Sequence, residues 1–145
     1  MKTKVFLGGT CEGYDWRKEL ISLLDMSKVD AFNPIVDDWN EEAQQKELEE
    51  RETTDFCLYT ITPDMKGCYS IAEVVDDSNK RPEKTLFLVI SNVKDYEKKE
   101  SVEFGPKMMK SLEAVKAMVV RNGGRVFDSI EEVAFFLNFK DDGTI

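Results

Sequence analysis

The chain alternates short apolar runs with longer amphipathic or charged segments, and the period of each predicts its element. Lys4-Val-Phe-Leu-Gly8 is a first strand running into Gly8-Gly9-Thr10. Asp15 to Leu24 follows, with Trp16, Leu20, Leu23 and Leu24 at helical spacing and Asp15 placed to cap. Ala31-Phe-Asn-Pro-Ile-Val36 is a second strand, set near an edge or a strand end by Pro34. Asn40 to Thr53 is rich in Glu, Gln and Lys and reads as an exposed helix with a solvated face.

Asp55-Phe-Cys-Leu-Tyr-Thr-Ile61 is a buried strand closed by Thr62-Pro63. Gly67 allows a turn, Ser70 can cap the next helix, and Glu73 would lie in that helix's first turn. Asp76-Asp-Ser-Asn-Lys-Arg-Pro82 reads as a polar connection. Lys84-Thr-Leu-Phe-Leu-Val-Ile90 is apolar almost throughout, as a central parallel strand is. Val93 to Val102 is charged and reads as a loop or mobile segment.

Pro106 to Val120 is an amphipathic helix. Met108, Leu112, Val115 and Val119 form its stripe, widened by Met109 and Met118, and Asn122-Gly123-Gly124 stops it. Arg125-Val-Phe127 is a last strand, and Asp128-Ser129 opens a final helix to about Phe139. Residues 141–145 read as a tail. Five strands alternating with helices predict an α/β fold: one domain over 1–145, with a doubly wound sheet of about five parallel strands.

Composition narrows the chemistry. The chain of 145 residues carries a net charge of −9, which argues against binding a nucleic acid polymer or an anionic membrane surface. Nothing in it reads as an export signal or a membrane span. It has no histidine, which removes Ser-His-Asp and Cys-His pairs and most zinc sites. Acid–base or covalent chemistry is left to carboxylates, Tyr, Lys or Cys. The three cysteines, Cys11, Cys57 and Cys68, lack metal-ligand spacing, and their odd number fits reduced thiols in a cytoplasm.

Three polar clusters follow strand ends: Gly8-Gly9-Thr10 with Cys11 and Glu12, Asp37-Asp38-Trp39, and Asp64 to Glu73. In an open parallel sheet they would share the carboxyl edge, where ligands bind. Carboxylates there could hold sugar hydroxyls, and Trp39 or Tyr69 could stack on a flat ring. A carboxylate can also attack an anomeric carbon and form an ester. Each residue has a plainer role beside this one. Glu73 could serve the helix dipole. Asp37 and Asp38 could be caps, and Trp39, Tyr69 and the cysteines could be packing residues. Asp55, directly before an apolar strand, fits a function as well as a structural place.

Val5-Phe-Leu-Gly-Gly-Thr10, Asp15-Trp16-Arg17, Phe32-Asn33-Pro34, Asp38-Trp39, Asp55-x-x-Leu-Tyr59 and Gly67-x-Tyr-Ser-Ile-Ala-Glu73 occur in this order. As a set, over about residues 4 to 90, they resemble the nucleoside 2-deoxyribosyltransferase family and its N-glycosidase relatives. The resemblance implies a flavodoxin-like or Rossmann-like fold and an enzyme of nucleotide salvage. It implies transfer of a 2′-deoxyribosyl group between bases, or its hydrolysis from a base. It puts the nucleophile at Glu73 and a residue assisting base departure at Asp55. Gly8, Gly9, Thr10, Asp38, Trp39, Asp64, Tyr69 and Ser70 would line the substrate.

The family's helix after the nucleophile is longer and richer in Ala and Gly than Val74-Val-Asp-Asp-Ser-Asn. The implied partners are a nucleoside or nucleotide and a free base, with no metal or organic cofactor. A homo-oligomer is expected from the Met-rich face of 106–120 and from the family's shared sites. Two other readings stand beside this one. The chain could be a 2′-deoxynucleoside 5′-monophosphate glycosidase, which would need a phosphate site near Gly8 to Thr10 or Ser70. It could also be a non-catalytic nucleotide-sensing domain of the same fold.

Overall fold

Strands that are apolar at nearly every position are buried on both faces, and the central strands of this protein are of that kind. The computed structural model describes residues 1–95 and 100–140. Strands β1 (Thr3–Gly9), β2 (Val29–Phe32), β3 (Phe56–Ile61), β4 (Thr85–Val89) and β7 (Arg125–Phe127) form one parallel sheet in the order β2-β1-β3-β4-β7. Successive side chains point to opposite faces. Val5, Leu7, Leu58, Leu86 and Leu88 therefore face α1 (Trp16–Leu23) and α5 (Ile130–Phe139), meeting Trp16, Leu20, Val133 and Leu137. Phe6, Cys57, Tyr59, Ile61 and Phe87 face the other way, against Val74 of α3 (Tyr69–Lys80) and Leu112 and Val119 of α4 (Pro106–Asn122). This is the doubly wound sheet that the alternating pattern predicts.

The helix α2 (Glu41–Thr53) is an exception in how it is held. It has almost no apolar stripe, and its one buried residue is Arg51. Several boundaries also differ from the sequence pattern. The second strand is shorter and earlier than 31–36, because β2 pairs only with β1 and stops at Phe32, before Pro34. Helix α3 starts at Tyr69 with Cys68 in the capping position, and no side chain caps it, so Ser70 is a helical residue and not a cap. It runs on to Lys80 through the Asp76 to Lys80 stretch that reads as a connection, because Asp77 and Ser78 are buried and partnered there.

Among the described residues of 93–102, strands β5 (Asn92–Asp95) and β6 (Glu100–Glu103) form an antiparallel ribbon in place of a loop, with Val93 paired to Val102. On α4, Met108 and Met118 stay exposed, while Met109, Leu112, Val115 and Val119 pack inward. Helix α4 ends at Gly123 in the left-handed conformation, as the Asn-Gly-Gly signal predicts. The expected tail at 141–145 lies outside the described residues. No helix among the described residues is long and apolar enough to cross a membrane.

Candidate active site

The strand order turns back at β1, which has β2 on one side and β3 on the other. The carboxyl ends of β1 and β3 therefore border the crevice where such sheets bind ligands. A cleft of about 590 Å³ opens there. Small-molecule sites span roughly 300–1,000 Å³.

The floor is bare backbone. A Cβ on Gly8 would come within 2.7 Å of the Tyr59 ring, and one on Gly9 within 2.1 Å of the Thr60 carbonyl oxygen. Gly9 also has φ +124°, a region other residues rarely enter. Buried Arg17, from α1, fixes this end of β1. Its Nε donates to the Leu7 carbonyl (2.9 Å), Nη1 to Thr10 (2.8 Å) and Nη2 to Gly9 (3.3 Å). Burial holds its pKa below the usual arginine value. Thr10 ties the loop to β3 by accepting the Thr62 N–H on Oγ1 at 3.0 Å.

One wall comes from the β2–α2 loop and α2. Pro34, Ile35, Val36 and Trp39 give it an apolar surface. Asn40 caps α2 by accepting the Ala43 N–H at 2.9 Å. Gln44, Glu47 and Arg51 then fall at i, i+3 and i+7, on one face of the helix. Gln44 and Glu47 line the cleft, and Trp39 Nε1 donates to Glu47 Oε1 at 3.1 Å.

The other wall is the start of α3, with Tyr69, Ser70 and Glu73. Glu73 is the fifth helical residue, and the first turn of α3 holds no acidic side chain. Its carboxylate is therefore not placed to cap the helix. It turns inward, with 11% of the side chain exposed, and its Oε2 lies 3.5 Å from Arg51 Nη1. Behind it, Arg51 Nη2 donates to Asp77 Oδ1 at 2.9 Å and Nε to Asp77 Oδ2 at 3.4 Å. Asp77 is fully buried and is also held by Arg81 Nη2 at 3.2 Å and by the Tyr59 hydroxyl, which donates to Oδ2. Removing one partner of such a buried pair strands the other, at a cost of about 3–5 kcal/mol.

These surroundings act on the carboxyl of Glu73. Burial pushes its pKa up and Arg51 pulls it down, while Glu47, Asp77 and Asp76 push it up again, to about 7. Burial likewise raises the Tyr59 phenol, with Asp77 adding to the effect, so Tyr59 is a neutral donor. A carboxylate that is partly protonated near neutrality, inside a cleft, can act as base, acid or nucleophile.

Of the residues singled out in the sequence, Gly8, Gly9, Trp39, Tyr69, Ser70 and Glu73 meet in this cleft. Thr10 lines a smaller adjoining pocket of about 150 Å³ that shares Gly9, Cys11, Tyr69 and Ser70 with it. Asp38 is exposed in the β2–α2 loop and stands off the cleft wall. Asp64 accepts the Tyr14 N–H at 2.9 Å and supports the turn at Gly13. Asp55 lies at the opposite edge of the sheet, directly before β3, where it accepts the Lys4 N–H at 2.8 Å. A residue that opens a strand sits at the amino edge, so Asp55 does not share the cleft with Glu73. The sequence pattern did not single out Gln44, Glu47, Arg51 or Asp77. The available signal was one arginine in a Glu- and Gln-rich helix, in register with Gln44 and Glu47.

Comparison with known proteins bears on the same region. A family model described as nucleoside 2-deoxyribosyltransferase like matches residues 2–93, more than half of the chain and all of the cleft's lining residues. The crystal structure of a conserved protein from Enterococcus faecalis V583 superposes with a TM-score of 0.51 at 14% identity, covering 98% of this chain and 99% of that one, which shows the fold alone. No curated protein matches.

Proposed function

The chain belongs to the nucleoside 2-deoxyribosyltransferase-like family, and on that premise we propose that it is an enzyme that breaks and remakes the N-glycosidic bond of 2′-deoxynucleosides through a covalent ester on Glu73. The ionised Glu73 carboxylate attacks C1′. The bond from C1′ to the base breaks, its electron pair stays on the base nitrogen, and that nitrogen takes up a proton. A second base, or water, then attacks C1′ and releases Glu73. No step draws on a metal or organic cofactor.

The observation that carries this reading is the placement of Glu73: inward, off the helix cap, beside Arg51, with its pKa pushed up to about 7. Part of the population is then ionised and nucleophilic at neutral pH, on a side chain that is only 11% exposed. Asp55 is too remote to aid the leaving base. Glu47 is the other carboxyl on the cleft wall and takes that role. Trp39 and Tyr69 offer flat faces to the base, and Gly8 and Gly9 let the sugar approach the backbone.

The cleft favours a nucleoside over a 5′-monophosphate. Its ionisable lining includes Glu47 and Glu73, and its one cation, Arg17, already donates to three backbone carbonyls. Among the described lining residues a phosphate would meet these carboxylates and no cation that is not already engaged, leaving it only the uncapped start of α3 at Tyr69 and Ser70.

Incubation with a 2′-deoxynucleoside and a different free base, followed by chromatography, tests the proposal. The expected result is a new deoxynucleoside, or free deoxyribose and base if water is the acceptor. Glu73→Ala should remove turnover. Binding without turnover would support a nucleotide-sensing domain instead.

A further inference from the structure

We propose that Arg51 is the positioning residue of this site: anchored on Asp77 and Asp76, its guanidinium holds the Glu73 carboxylate aimed into the cleft. The proposal rests on the reading of Glu73 as the nucleophile. A guanidinium is a planar fork that can serve carboxylates on two sides at once. Here Nε and Nη2 are taken by Asp77, and Nη2 also reaches Asp76 Oδ2 at 3.2 Å. Nη1 is left for Glu73, at 3.5 Å. Asp77 is fixed in turn by Tyr59 of the central strand and by Arg81. Position therefore passes from β3 through Asp77 and Arg51 to the reacting carboxylate.

Arg51 also docks α2, of which it is the one buried residue, and α2 carries Gln44 and Glu47 on the same face. The helix has almost no apolar stripe to do this instead, Leu48 being exposed. One arginine thus sets both walls of the cleft at once.

The charges around Glu73 give Arg51 a second effect. From α2 come Glu47 and Arg51, from α3 Asp76, Asp77 and Tyr69 with Arg81 just after it, and from β3 Tyr59 and Cys57. Arg17 and Cys11 lie across the cleft. β1 brings Phe6, Gly8 and Gly9 to the cleft and β4 has no titratable side chain, while α4 enters the shared core with Met109, Leu112, Val115 and Val119. Of these groups, Arg51 is the one that favours the ionised, nucleophilic form by direct contact; the acidic neighbours and burial oppose it. Because the guanidinium is shared with Asp77, it holds Glu73 without neutralising it fully.

The test is the pH dependence of kcat and KM in wild type, Arg51→Met, Arg51→Lys and Asp77→Asn, together with an NMR titration of the Glu73 carboxyl in the resting protein. Arg51→Met should move the acid limb of kcat up by about one pH unit or more. Turnover at pH 7 then falls about fivefold or more, recovers in part at higher pH, and leaves KM little changed. Arg51→Lys keeps the charge but lacks the planar fork that serves Asp77 and Glu73 in fixed directions, and should fall between the two. Asp77→Asn removes one of the charges that raise the Glu73 pKa and should move the limb down for that reason alone, while loss of the Arg51 anchor should lower the plateau of kcat.

If Arg51→Met does not fold, Arg51→Lys decides: a plateau kcat lowered several-fold with KM little changed supports the proposal, and an unchanged plateau overturns it. A folded Arg51→Met with a lower melting temperature but an unchanged limb and unchanged Glu73 titration also overturns it. A wild type without turnover refutes the enzyme reading instead, and the NMR titration still reports whether Arg51 controls Glu73.

Discussion

Trp39 Nε1 donates to Glu47 Oε1 at 3.1 Å, so an aromatic face and a carboxyl are presented to the cleft as one unit. The ring can lie along a base while the carboxyl meets its edge. On the proposed reading of the cleft, Glu47 is the group that would protonate the departing base. Glu47→Gln should cost roughly 100-fold or more in turnover of ordinary deoxynucleosides, the usual size of a general-acid contribution. It should cost much less with a 4-nitrophenyl deoxyriboside, whose leaving group needs no proton. Equal losses on both substrates would count against the role.

The pKa of Glu73 predicts a conflict between stability and activity. In the fold it is pushed up to about 7, against 4.5 for an ordinary glutamate. The fold thus prefers the protonated acid. The stability that preference contributes is complete below about pH 4.5 and is lost as the pH rises to about 7. Glu73→Gln should accordingly be more stable than wild type above pH 7, by on the order of 2 kcal/mol, and no more stable than it at pH 4. Urea unfolding at the two pH values reads this directly.

Gly9 and Gly67 offer a paired test of the cleft floor. A Cβ on Gly9 would meet the Thr60 carbonyl oxygen at 2.1 Å in a left-handed backbone, whereas one on Gly67 would meet nothing within 4 Å. Gly9→Ala should destabilise by about 2 kcal/mol or more, or fail to fold, and Gly67→Ala should change stability by under about 1 kcal/mol. Denaturant midpoints of the two variants check both.

The proposed chemistry also predicts a preference for 2′-deoxyribose. Glu73 must come close to C1′, and a 2′-hydroxyl adds bulk there and withdraws electrons from an oxocarbenium-like transition state. Deoxyadenosine should be turned over with a higher kcat/KM than adenosine, and so should the matching pyrimidine pair. Equal values would contradict it.

Much of this was legible in the chain. Continuous apolar runs such as Leu86 to Val89 mark strands buried on both faces, and Asp15, Asn40 and Ser129 cap helices that begin directly after them. That Tyr69, Ser70 and Glu73 lie at the carboxyl edge of the sheet followed from the strand–loop–helix pattern, whereas Glu73 sits one turn further into the helix than that pattern placed it. What was hidden depends on tertiary contacts. Asp76 to Asn79 has weak helix propensity and reads as a loop, but the burial of Asp77 between Arg51 and Arg81 overrides that preference. Arg51 looks like one more charge on a solvated helix, because no periodicity shows which polar residue will be buried. Asp55 follows the family pattern in sequence yet sits at the far edge of the sheet, where it holds the Lys4 amide.

The central claim is that Glu73 carries the deoxyribosyl group. Wild-type protein should be mixed with a 2′-deoxynucleoside in the absence of an acceptor base, quenched in acid within the first turnover, digested, and examined by mass spectrometry. The account predicts a deoxyribosyl adduct on the peptide containing Glu73, absent from Glu73→Ala, which should fold but not turn over. An adduct mapped to Glu47, Asp38 or Asp64, or a Glu73→Ala protein that remains active, would contradict it.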